Sequence, residues 1–152
     1  MQACVLGAVM VLAGERARAS DVRHEIAVGT ATTNSSTFTT TETVLLSVSA
    51  DLIGGRTYAI EAWLELLPSV SADKCDLRIR ENNVTGAVVR SARVSLDTAA
   101  SSEHVSFYGR YTAAETGAKT LVLTGQRGAG SGNIQRISGP TFPGYLIVNQ
   151  VS

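Results

Sequence analysis

The sequence predicts an all-β protein, an antiparallel β-sandwich carrying an apolar N-terminal arm, and three observations lead there. Short stretches rich in Val, Thr, Ile and Tyr recur between clusters of Gly, Asn, Ser and Asp at about the 8–12 residue spacing of a sandwich. In residues 58–66, Tyr58, Ile60, Ala62, Leu64 and Leu66 fall on one face by the two-residue period of a strand, and Ala59, Glu61, Trp63 and Glu65 fall on the other. Helical periodicity is hard to find. With 152 residues the chain has material for one compact core and little more.

Taken in order, residues 1–14 are apolar except for Gln2. Ala17-Arg18-Ala19 before Ser20 mimics a small-x-small processing site, but no Lys or Arg precedes the apolar run and the first charge is Glu15, so no cleaved signal peptide is expected. The run is shorter than the roughly 20 apolar residues that span a bilayer, so no membrane partner is expected. Such an arm has to be buried, either as a strand of the domain or against a partner. Val5, Leu6, Val9, Val11 and Leu12 supply its apolar surface, and Arg16, Arg18 and Arg23 add donors for a partner's carboxylates or carbonyls. The arm is assigned to residues 1–23 and the sandwich to residues 24–152.

Strands are expected at 25–30, 37–41, 44–50, 58–66, 75–80, 87–96, 105–111, 119–126, 134–137 and 145–151, eight to ten in all. The Thr-rich stretch 30–43, with Phe38 inside it, reads as strand and connecting loop rather than as a glycosylated stalk. Val88-Val89 breaks the alternation of its strand and marks a bulge. Gly128-Ala-Gly-Ser-Gly132 lies between two strand-like runs and reads as a flexible hairpin tip. It lacks the Gly-Lys-Ser/Thr ending of a Walker loop and the flanking helix of a dinucleotide loop. Pro68, Pro140 and Pro143 suit strand ends and loops.

The chemistry on offer is sparse. Thirteen basic and thirteen acidic side chains cancel, and charged residues are only 17% of the chain, which excludes a uniformly basic nucleic-acid surface. At 44% hydrophobic, the chain is also too apolar for an acidic disordered segment. Cys4 and Cys75 read as ordinary thiols with no zinc spacing, and His24 and His104 lack the spacing of metal ligands or of a catalytic pair, so no metal or cofactor is expected. Arg78, Arg80, Arg90 and Arg93 alternate outward and should pair with carboxylates. Glu61 and Glu65 flank Trp63, but four residues of strand separate them by about 13 Å, beyond the ~5–9.5 Å windows of glycosidase pairs. Carboxylates converging from different strands stay open as a rival enzyme reading, which is the weaker one. Trp63 itself is either an interface or core aromatic or a platform for a sugar ring.

The C-terminal half resembles a β-sandwich module common in virion proteins of tailed bacteriophages that infect actinobacteria, found on heads and among minor tail proteins. The resemblance is carried by Cys75-Asp-Leu-Arg-Ile-Arg-Glu81 followed by Gly86, by Tyr111-Thr-Ala, by Leu121-Val-Leu-Thr-Gly-Gln-Arg127, by the Gly128–Gly132 segment and by Phe142-Pro-Gly-Tyr-Leu-Ile-Val148. Near the start, Ala13-Gly-Glu-Arg-Ala-Arg-Ala-Ser-Asp-Val22 is similar to the short segment that often opens such proteins. The resemblance covers about two-thirds of the chain and consists of strand and turn signatures. It implies a jelly-roll-like body exposed on a virion, commonly in homotrimers, with an N-terminal segment binding neighbouring capsid or tail subunits. The expected function is that of a non-enzymatic capsid decoration protein or minor tail component. A carbohydrate-binding module for host-surface glycans, centred on Trp63, is the alternative.

Overall fold

A computed structural model describes residues 24–151. Nine strands form among them: β1 (His24–Ala31), β2 (Thr43–Leu52), β3 (Thr57–Pro68), β4 (Asp73–Glu81), β5 (Val88–Leu96), β6 (Glu103–Thr112), β7 (Gly117–Ala129), β8 (Ile134–Ile137) and β9 (Gly144–Gln150). The first sheet has the order β1-β9-β3-β6, with β8 also paired to β3, and the second has the order β2-β7-β4-β5. Every pairing is antiparallel. Two four-strand orders of this kind, with the chain crossing repeatedly between them, make a jelly roll, and β8 is an addition to its first sheet. The expected sandwich and its jelly-roll form are therefore present.

The alternation of β3 sets the core. Tyr58, Ile60, Ala62, Leu64 and Leu66 are each no more than 2% exposed and join Cys75, Leu77 and Ile79 of β4 and Leu121 and Leu123 of β7 in one apolar cluster. Burial of each Leu or Ile side chain stabilises the fold by roughly 1.5–3 kcal/mol. Desolvation at this depth pushes the Cys75 thiol up to about 12, which makes it an inert member of the core.

Two expectations need correction. Residues 37–41 do not form a strand: Phe38 makes a single bridge to Ile134, and the stretch between β1 and β2 crosses from one sheet to the other. A crossing segment cannot keep a continuous ladder, so isolated backbone bonds, from the Ser35 amide to the Arg136 carbonyl and between Phe38 and Ile134, combine with side-chain bonds to tie it to β8. Gln135 Nε2 donates to the Ser35 carbonyl, the Arg136 amide donates to Ser35 Oγ, and the buried Arg136 guanidinium donates to the Thr33 carbonyl. Nor is the Gly128–Gly132 segment a hairpin tip, because β7 and β8 lie in different sheets. Buried Asp73 holds it, its Oδ1 accepting from the amides of Ser131 and Gly132 at 2.9 and 3.2 Å. Gly130 has φ +96°, and a Cβ there would stand 1.9 Å from that same oxygen, so no other residue fits. The bulge expected at Val88-Val89 is present, since Ile79 pairs with Arg90 while Arg80 pairs with Val88.

The outer face of the second sheet satisfies its own charges. Arg80 and Arg78 converge on Glu42 at 2.7 and 3.3 Å, Thr124 donates to the same carboxylate, and Arg93 grips Asp76 through bonds of 2.5 and 2.9 Å. Arg90 corrects the outward expectation: three positions from Arg93 on one strand, it takes the opposite face, in register with buried Ile79 and beside Gly109 of β6, and is exposed on the edge strand β5. Burial raises the Glu42 carboxyl, but the hydrogen bonds from Arg80 and Thr124 and the two guanidinium charges outweigh it and hold it below the ordinary glutamate value. The Arg93 hydrogen bond, opposed by burial, likewise holds Asp76 low.

Two outcomes follow from this packing. Leu77→Ala should cost about 2–5 kcal/mol in denaturant unfolding, whereas Val88→Ala on the exposed bulge should stay within about 0.5 kcal/mol. Carboxylates held low in the folded state contribute stability that is complete above their unfolded pKa and is lost as pH falls through the folded value. Melting temperature should therefore drop on acidification below about pH 4. Glu42→Gln should lower it near neutrality and flatten the acid decline, and an unchanged acid profile in that variant would contradict the assignment.

Candidate functional site

The inward half of β3 builds the core, and its outward half, Glu61, Trp63 and Glu65, faces away from it. Strand register sets neighbours beside each of these residues. One row across the sheet reads Val28, Ile147, Glu61, Tyr108, and the next reads Thr30, Tyr145, Trp63, Ser106. Beyond them Glu65 lies opposite His104. Trp63 is 50% exposed, Phe142 48%, Val28 44% and Tyr108 38%, which makes an apolar face bordered by carboxylates and hydroxyls. His104 meets the indole edge-on, with ring centroids 5.4 Å apart and planes at 78°, an arrangement that aromatic rings favour. Arg110, two residues along β6, donates to the Tyr108 hydroxyl at 3.0 Å.

The turn between β8 and β9 supplies the remaining wall. β8 leaves β3 at Glu65 and β9 joins it at Trp63, so residues 138–143 loop out beside the indole. A bridge between Gly139 and Phe142 closes this turn. A Cβ on Gly139 would lie 2.9 Å from the Phe142 ring, so the glycine leaves space for the aromatic to seat there. Two hollows result, one on either side of Trp63. The larger, about 460 Å³, is lined by Glu61, Ser106, Phe107 and Tyr108 together with the indole. The smaller, about 270 Å³, includes Glu65, His104, Phe142 and Tyr145 around the other side of the indole.

Chemically this is a flat apolar plate with hydrogen-bonding groups at both ends. It suits a ligand with one apolar surface and a polar edge. Glu61 and Glu65 lie about 13 Å apart along the strand, farther than the carboxylates of a retaining or inverting glycosidase. Among the described residues, no group of three or more His, Cys, Asp or Glu could hold a metal ion, and no helix is long and apolar enough to cross a membrane.

Of the residues singled out from sequence, Trp63 is at the centre of this face. Val5, Leu6, Val9, Val11, Leu12, Arg16, Arg18 and Arg23 lie outside the described residues. Sequence reading did not place Tyr108, Phe142 and Tyr145 beside Trp63. The sequence reading placed a strand at 105–111 but assigned no face to Tyr108, and only the register of β3 with β6 and β9 brings the aromatics together.

No protein-family model and no curated protein matches the chain. Among solved structures it is similar to a carbohydrate-binding module described under "CBM4 structure and function", at 14% identity and a TM-score of 0.37, covering 70% of this chain and 61% of that one. It is also similar to the VP2 subviral particle protein of infectious bursal disease virus, at 16% identity and a TM-score of 0.46, covering 97% and 42%. A third likeness is to TmCBM61 in complex with β-1,4-galactotriose, at 15% identity and a TM-score of 0.36, covering 72% and 66%. The neighbours thus include viral capsid proteins and carbohydrate-binding modules, and the chain spans less than two-thirds of the first two. The jelly-roll assignment rests on the strand order given above.

Proposed function

We propose that the chain is a non-enzymatic surface protein of a tailed-phage virion, a capsid decoration protein ahead of a minor tail component. It binds neighbouring virion subunits through residues 1–23 and displays its jelly roll outward. The observation that carries this reading is that the described residues themselves form a jelly roll around one apolar cluster. The apolar residues and three arginines of the arm then serve contacts beyond the body. The phage resemblance supports the same reading with stretches that fall on structural elements: residues 75–81 are β4, residues 121–127 lie in β7, and residues 142–148 are the turn beside Trp63 and most of β9. A homotrimer is part of the proposal.

A second reading is favoured by one specific observation, the exposed indole between two polar-ended hollows. In this reading the Trp63 face recognises a host-surface glycan. The two readings are compatible, since one concerns how the protein is held and the other what its body meets.

Deleting residues 1–23 should leave a soluble, folded body that no longer joins particles, whereas the full chain should incorporate and sediment as a trimer. Full incorporation of the truncated protein would overturn the anchoring role, and a stable full-length monomer at micromolar concentration would overturn the trimer.

A further inference from the structure

Resting on the glycan reading of the Trp63 face, we infer that its ligand is a run of linked, non-acidic sugar units lying along β3, with a middle unit stacked on the indole and its neighbours in the two hollows. The first argument is geometric. The hollows share Trp63 and no other lining residue, so they are separate compartments that meet at the indole. One is bounded by Glu61 and the other by Glu65, and the strand sets those residues about 13 Å apart, a span of about three linked pyranose rings. A single ring on the indole cannot reach both ends.

The second argument is chemical. The Glu61 compartment offers a carboxylate and the hydroxyls of Ser106 and Tyr108, whereas the Glu65 compartment adds the rings of Phe142 and Tyr145 to a carboxylate and His104. An aromatic wall takes the apolar face of a sugar, and a carboxylate accepts hydrogen bonds from its hydroxyls or from an amine. The Glu65 compartment therefore ends in a carboxylate that accepts sugar hydroxyls and repels a uronate or sulfate. A glycan with acidic groups would place like charges together at the Glu65 end of the site.

The test uses the full chain on an array of neutral, amino and acidic oligosaccharides from monosaccharides to hexasaccharides. Affinities are then measured by fluorescence, for which Trp63 is the one tryptophan in the sequence. Neutral or amino trisaccharides should bind at least about tenfold more tightly than the matching monosaccharides. Acidic members should give no signal, and Trp63→Ala should abolish array binding without a change in melting temperature. Glu65→Gln should admit acidic members that the natural chain rejects. Equal binding of monosaccharides and trisaccharides, or of acidic and neutral members, would overturn this inference while leaving the glycan reading intact. Failure of the natural chain to bind any member would overturn both.

Discussion

The structure depends on the two-residue alternation of β3, a strand held by hydrogen-bonded partners on both sides. It pairs with β6 along most of its length, with β9 over residues 58–63 and with β8 over residues 65–68. Because the period is two, a shift of one residue would move every side chain to the other face. Burial of Tyr58, Ile60, Ala62, Leu64 and Leu66 thus leaves no choice about Trp63. The packing that stabilises the body also forces the indole outward, and the proposed recognition face is a direct consequence of the core.

The two sheets treat their outer faces differently. On the second sheet, Val44 and Val88 are exposed, but no aromatic is, and Glu42 and Asp76 are occupied by Arg78, Arg80 and Arg93, so charge is matched within the chain. On the first sheet, Trp63, Phe142, Val28 and Tyr108 are each exposed by more than a third, and the turn at residues 138–143 adds a wall instead of a cover. Exposed apolar surface carries a solvation cost, whereas an internally paired polar face carries little. This asymmetry favours the first sheet for contact with a ligand and the second for contact with water.

Local pattern made much of this legible. Alternation alone gave the core face of β3 and the outward Arg78, Arg80 and Arg93, and a break in alternation gave the bulge in β5, but Arg90 falls on the other face of its strand. Long-range pairing was not legible. Asp73 carried no signal in the sequence, yet it fixes the Gly-rich segment 58 positions away. Glu42 carried no signal because its partners Arg78, Arg80 and Thr124 reach it only when β4 and β7 lie side by side. The segment around Phe38 misled for a related reason: β-branched residues fit a strand, but a chain that must cross between layers cannot continue a ladder. Likewise, alternation put Trp63 on the outward face of its strand and left it open between an interface or core aromatic and a sugar platform, and Tyr108, Phe142 and Tyr145 join it only through register.

Acrylamide quenching of the lone tryptophan in the purified full chain is the most direct measurement of the β3 alternation. An outward Trp63 should emit at long wavelength and be quenched nearly as readily as free indole, and Leu64→Trp in a Trp63→Phe background should emit at short wavelength and resist quenching. A shielded, blue-emitting Trp63 in the natural chain, with an accessible tryptophan at position 64, would contradict the register on which both the core and the recognition face rest.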